Sequence, residues 1–148
     1  MKNIIKVIIG VLVIWLAIHF IYPYFLSDET KIRKIIAETS ERTAGKDIFR
    51  FMKHFHDDYK DDSALSKGDI QGIALRIFKM YEKIEVTCDI KKIVIKGKKA
   101  HILLDLSVIV PTKKGDTDLI FIARETNAFN VKMKKKEKGW MFLESEKP

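Results

Sequence analysis

With 148 residues, the chain has room for one ordinary domain and a small additional element. An apolar fraction of 47% is enough for a core, and 32% charged residues exclude a polytopic membrane protein. The net charge of +8 admits anionic lipid, acidic protein or nucleic acid without choosing among them, and the single cysteine, Cys88, excludes an internal disulfide or a multi-cysteine metal site.

The chain opens with MKNIIK and then VIIGVLVIWLAIHFIYPYFL. From Val7 to Leu26 there is no Lys, Arg, Asp or Glu, and such a run covers about 30 Å as a helix, one hydrocarbon core. Trp15 and His19 are unusual inside it, whereas Tyr22 and Tyr24 suit an interface. A cleaved signal peptide has a shorter apolar core and a small-residue cleavage site, and YPYFLSDE offers none. Residues 1–26 are therefore expected to be a transmembrane signal-anchor, contacting lipid through residues 4–26, with 27–148 as the domain. Lys2 and Lys6 before the span, with Asp28 and Glu29 after it, keep the short N-terminus in the cytosol; Lys31, Arg33 and Lys34 argue the other way. The expected location is the cell (inner) membrane, single-pass, with the domain extracytoplasmic or periplasmic.

The stretch from Ser27 to Ala44 predicts a helix, capped by Ser27 or Asp28, with Ile32, Ile35, Ile36 and Thr39 on one face and Gly45 ending it. Asp47 caps a second, shorter helix, DIFRFMKHF, burying Ile48, Phe51, Met52 and Phe55, and HDDYKDDSAL follows as a polar loop. Ser66 opens a third helix whose apolar face is Ile70, Ile73, Ala74, Ile77, Phe78 and Tyr81. After Lys83 the period changes to two. Ile84, Val86, Cys88 and Ile90 alternate with polar residues, then the parity flips at Lys91 and Lys92, the mark of a β-bulge, before Ile93 and Ile95. KGKK makes a turn, and Ala100, Ile102, Leu104, Leu106, Val108 and Val110 share one face. A KKGD turn leads to a third strand with Leu119, Phe121, Ala123, Phe129, Val131 and Met133. KKKEKG is a hairpin turn and WMFLES the closing strand. Helices followed by strands give an α+β fold, three helices on one face of a curved four-stranded antiparallel sheet.

That order, carried by DETKIRKIIAETSERTAGKDIFRFMKHFHDDY, IFKMYEKIEVTCDIKKIVIKGKKAHI and KEKGWMFLES, resembles the nuclear transport factor 2-like (cystatin-like) superfamily over most of residues 28–146. Its members include ketosteroid isomerases and SnoaL-type polyketide cyclases. The resemblance implies a cone-shaped domain whose cavity opens between the concave sheet and the helices. Some members are enzymes and others are scaffolds or binding domains, so the fold alone does not choose.

FMKHFHDDYKDD, residues 51–62, concentrates histidine and aspartate. As a metal site it fails: His54 and His56 point about 200° apart on a helix. An EF-hand loop begun at Asp57 lacks both its glycine and its closing glutamate. As an acid/base site it resembles an isomerase, with Asp57 or Asp58 entering the cavity and Tyr59 donating. The partner carboxylate is missing, because Asp105, like His101, has outward parity. The reading preferred is a helix end lining the cone's rim, with Phe51, Phe55 and Tyr59 at core spacing. Under the resemblance His54, Asp58, Tyr59 and Tyr81 are the candidate ligand contacts, with no catalytic residue, cofactor or metal assigned.

Cys88 has inward parity and reads as a buried thiol. The lysine-rich VKMKKKEKG, residues 131–139, reads first as a solvated hairpin tip, with docking on anionic lipid or a partner as the alternative. No phosphate loop, nucleophile triad or base-stacking motif is present, so nucleic acid is not an expected partner. The expected function is a non-catalytic scaffold or assembly subunit of an envelope membrane complex, with protein partners and room for homo-oligomers. The alternative is a binder or isomerase/cyclase-like enzyme for a small apolar ligand. A filled cone would favour the scaffold, and a cavity with Asp58 and Tyr59 converging inside it would favour the ligand.

Overall fold

The computed structural model describes residues 2–111, 117–123 and 128–146, with the backbone alone at 2–7, 20–25 and 117–123. Four helices precede or interrupt the strands: α1 (Lys2–Phe25), α2 (Asp28–Ala44), α3 (Ile48–Met52) and α4 (Lys67–Met80). The strands are β1 (Phe55–Asp61), β2 (Glu85–Lys96), β3 (Lys99–Pro111), β4 (Thr117–Ala123), β5 (Phe129–Lys136) and β6 (Gly139–Glu146).

The helix ends follow local chemistry. The Ser27 hydroxyl accepts from the Thr30 N–H and caps α2. Asp47 caps α3 in the same way through Arg50 N–H. Ser66 and Asp69 form a reciprocal capping box at α4. On α2, Ile32 and Ile36 are buried with Ile35 packed beside them, as their spacing predicts. On α4, Ala74 and Phe78 are buried, while Ile73 at the edge of that face stays exposed.

The sheet order is β1-β6-β5-β3-β2, with β4 also paired to β3. Three findings correct the four-stranded antiparallel expectation. First, β1 is a strand, not a helix end, and it runs parallel to β6. Phe55, Tyr59 and the helical Phe51 are four apart, and a spacing of four suits a helix face and a strand face equally. Phe142 N–H donating to His54 O and Asp62 N–H donating to Ser145 O tie β1 to the edge of β6. Second, the long third strand is two strands. β5 pairs with the first half of β3 and β4 with the second. Third, the sheet therefore has six strands and is mixed.

Other strand features match. Ile90 pairs with Leu104 and Lys92 with Leu103, so Lys91 is the extra residue of the predicted bulge. Gly97 turns β2 into β3 at a φ of 59°, which glycine adopts without strain. The predicted KKGD turn and the side chains expected inward on β4 lie outside the described residues.

The core packs α2 on one face of the sheet. Ile32, Ala100, Ile102, Leu104, Val131, Met133 and Trp140 are all buried there. Each large side chain so buried contributes about 1.5–3 kcal/mol. A second cluster joins Ala74 and Phe78 of α4 to Ile84 and Val110. α1 behaves differently: Ile8, Ile9, Val11, Leu12, Val13, Ile14, Trp15 and Ile18 are all exposed. Among the described residues no helix is long and apolar enough to cross a membrane; in α1 the described side chains run from residue 8 to 19, and Tyr22 and Tyr24 fall outside them.

Candidate functional site

Between α2 and the sheet lies an open cavity of about 250 Å³. Its walls come from every layer of the domain. Ile36, Thr39, Ser40 and Thr43 face it from α2, Phe55 and Tyr59 from β1, and Ile70 from α4. The sheet supplies Val86, Cys88, Leu104, Leu106, Val108, Phe129, Val131, Phe142 and Ser145. Phe51 completes the lining, its ring 5.1 Å from that of Phe55. Phe55 also stacks edge-on with Tyr59 at 4.9 Å and lies 5.2 Å from Phe142, so one wall is aromatic.

The polar atoms of this lining are few and neutral. Thr39 donates to Ile35 O at 2.7 Å, Ser40 to Ile36 O at 3.0 Å and Thr43 to Thr39 O at 2.8 Å. Their protons are thus committed to the helix backbone, and their lone pairs remain as acceptors. The Cys88 thiol joins the lining from β2. The Tyr59 and Ser145 hydroxyls bond to each other; that pair holds two protons and uses one between them, which leaves one to donate. Burial pushes the Tyr59 phenol above its ordinary value and does the same to the Cys88 thiol. Both stay protonated at neutral pH. No carboxylate, imidazole or amine stands among the described lining residues.

Of the residues singled out in the sequence, Tyr59 lines the cavity and Cys88 joins it from β2. His54 does not line it. Its Nε2 meets Glu38 Oε2 at 2.9 Å on the flank of α2, where Lys53 also bonds Glu38 at 3.1 Å. These hydrogen bonds, His54's first, hold the Glu38 carboxyl below the usual range. The Asp58 side chain is 85% exposed and points away from the cavity. Its N–H donates to Nδ1 of the buried His56 at 3.0 Å. Tyr81 ends α4 and packs in the second core cluster, off the cavity lining. The register slips in β1 between Phe55 and Lys60, which turns Asp57 and Asp58 to solvent while Phe55 and Tyr59 stay inside.

Sequence parity also misses Ser145. Trp140 and Phe142 face inward, and an unbroken alternation would send Glu144 in after them. The register shifts between Lys132 and Met133 on the partner strand, so Leu143 is extra and Ser145 turns inward. Glu144 instead bonds Lys132 at 2.6 Å. The bulge keeps a carboxylate out of the cavity.

No family model matches the chain, and no curated protein matches it. Solved structures do. One neighbour from Novosphingobium aromaticivorans, assigned provisionally as a scytalone dehydratase, superposes with a TM-score of 0.68 at 13% identity over 80% of each chain. An NTF2-like protein with a cystatin-like fold from the same organism gives 0.61 at 14% identity, over 80% of this chain and 79% of that one. A domain of unknown function with a cystatin-like fold from Nostoc punctiforme gives 0.61 at 16% identity, over 80% of this chain and 75% of that one. The fold is therefore cystatin-like, of the nuclear transport factor 2 type, and identities this low extend the likeness to the fold alone.

Proposed function

We propose that this protein is a membrane-tethered, nuclear transport factor 2-like domain that binds a small, neutral, largely apolar molecule in its cone without transforming it. The open cavity, apolar on every wall and served by neutral hydroxyls, is the observation that carries this reading. A cavity of about 150 Å³ lined by aliphatic and aromatic residues already takes benzene. The larger space here suits a bicyclic ring or a molecule of similar size, held by one donor at Tyr59–Ser145 and the acceptors of α2. The dehydratase assignment of one neighbour is not carried over, because a likeness at 13% identity is one of fold and the described lining holds no carboxylate or imidazole. A pure scaffold would expect a filled cone, so the open cavity supports a ligand carrier; of the pair expected to converge there, Tyr59 lines it and Asp58 is exposed.

The tether rests on the sequence of residues 7–26 and on the exposure of apolar side chains around the described part of α1. Successive residues step by 100°, so Ile8 to Ile18 present apolar surface on all sides, as a helix in lipid does. The domain is proposed to lie outside the cytosol. A periplasm-active reporter fused after Pro148 should be active, and activity of a cytosolic reporter there would reverse the topology.

Both core clusters lie after Ser27, so the binding test uses the domain cut at that residue. Titration with 2-naphthol should raise its melting temperature saturably, as ligand linkage requires. Leu106→Trp, which fills the cavity from β3, should abolish the rise while the protein still melts cooperatively. No saturable shift with 2-naphthol or comparable neutral bicyclic probes would return the cone to a structural role and restore the scaffold reading.

A further inference from the structure

The lysine-rich hairpin is not an isolated tip. Lys99 of β3 pairs with Lys134 of β5, and Lys135 N–H donates to Lys98 O at 2.8 Å. The turn between β2 and β3 and the turn between β5 and β6 therefore share one end of the sheet. Lys96, Lys98, Lys99, Lys136 and Lys138 are exposed there, and none makes an ion pair among the described residues. The acidic residue among them is Glu137. Elsewhere on the sheet Lys132 is matched by Glu144 and Glu146 and Lys91 by Asp89 and Asp105, while Lys60 and Lys92 stand singly, exposed and without an ion pair among the described residues. Five exposed lysines without an ion pair gather at this one end.

That end is also fastened to the start of α2. Lys135 Nζ lies 2.8 Å from both Asp28 carboxylate oxygens, and Trp140 Nε1 donates to Asp28 Oδ1 at 3.1 Å. The ammonium sits 5.9 Å from the Trp140 ring centre as well. Asp28 follows the last residue of α1, Phe25, by three positions. Three residues reach about 10 Å at most. The basic end is thus joined, through Lys135 and Asp28, to the residues that directly follow the tether.

We propose that this end of the sheet is a docking face for anionic lipid headgroups, which seats the domain on the membrane that α1 enters. The proposal rests on the tether reading and adds an orientation to it: the sheet's basic turns face the bilayer. Each lysine near an anionic surface strengthens association about five-fold, so several acting together give a seated domain. On neutral lipid the same domain is free to swing about Leu26 and Ser27.

The test uses the full chain in vesicles. A donor dye is placed at Glu137→Cys in a Cys88→Ala background, with an acceptor on the lipid headgroup. Energy transfer should rise several-fold when phosphatidylcholine is supplemented with phosphatidylglycerol, and fall back in about 1 M salt, where screening acts within about 3 Å. K96E/K98E/K136E/K138E should hold transfer at the neutral-lipid level, with the Gln set of the same positions intermediate. A cooperative melt of each variant shows that the fold persists, and the Gln set decides if the Glu set does not fold. Retention of the parent chain on neutral vesicles in 1 M salt reports the tether separately. If retention fails, the tether reading falls, and charge-dependent binding of the whole chain to anionic vesicles then decides the face alone. Equal transfer on both lipids, indifference to the lysine changes, or transfer lost to added oligonucleotide at equal charge would overturn the proposal.

Discussion

The two faces of the β2–β3 pair are built from the same backbone and do opposite things. On the inner face Cys88, Leu104, Leu106 and Val108 line the cavity, and no described lining group is charged. On the outer face Asp89 stands directly opposite Asp105. Two like charges at that position repel. Lys91 resolves the repulsion, with its ammonium 2.7 Å from Asp89 and 3.1 Å from Asp105. Lys91 is also the bulged residue, so the irregularity in the ladder delivers the cation that the pair needs. The comparison separates what the faces contribute: apolar burial and a ligand space inside, charge compensation around a partly covered Asp105 outside.

The largest expected effect is on the inner face. Leu104 is 3% exposed at the floor of the cavity. Leu104→Ala should destabilise the domain by about 2–5 kcal/mol, a large part of the ~5–15 kcal/mol typical of a whole domain. Chemical denaturation of the domain checks it. A loss under about 1 kcal/mol would mean that the cavity simply enlarges at no cost and that the inner face is not the stabilising one.

The same contrast shows what the sequence made legible. Alternation placed the inner residues of β3 and Cys88 correctly, and the parity flip at Lys91 was visible because two lysines interrupt a clean period. Capping residues marked α2, α3 and α4. β1 was not legible, since its aromatic spacing of four satisfies two periods and its pairing partner lies some 85 residues away in β6, a long-range choice no local pattern encodes. Tyr59 was found because it is apolar enough to join that spacing. Ser145 is hidden from sequence parity by a bulge, and His54, Asp58 and Tyr81, which the resemblance groups at the cavity rim, are dispersed by the fold.

A smaller effect is expected at the sheet end that receives the tether. The hydrogen bond from Lys135, ahead of that from Trp140, holds the Asp28 carboxyl below its usual range. The folded pKa is thus below the unfolded value of about 3.9. Ionised Asp28 then stabilises the fold above that value, and the contribution disappears as pH falls through the folded pKa. Asp28→Asn should cost about 0.2–1 kcal/mol at pH 7, the range for a partly exposed pair. Melting curves of parent and variant should converge only once the pH has fallen through the depressed folded pKa, where the parent carboxyl is protonated. A gap that stays constant below that pH would assign the effect to the Trp140 contact and not to charge.

The smallest effect is expected on the outer face, where Asp105 tests the register itself. Its carboxylate bonds Lys91, but Lys91 keeps Asp89 when Asp105 is removed, and removal also relieves the repulsion between the two facing aspartates. Those two consequences oppose each other. Asp105→Ala should therefore shift stability by no more than about 0.5 kcal/mol in either direction, and it should leave 2-naphthol binding unchanged, since Asp105 is not among the cavity-lining residues. Denaturant titration and the ligand-dependent melt on one sample measure both quantities. A destabilisation of several kcal/mol, together with altered binding, would mean that Asp105 faces the cavity and that β3 is displaced by one residue. Such a displacement would exchange the two faces of β3, because a one-residue slip moves each side chain of a strand to the opposite face.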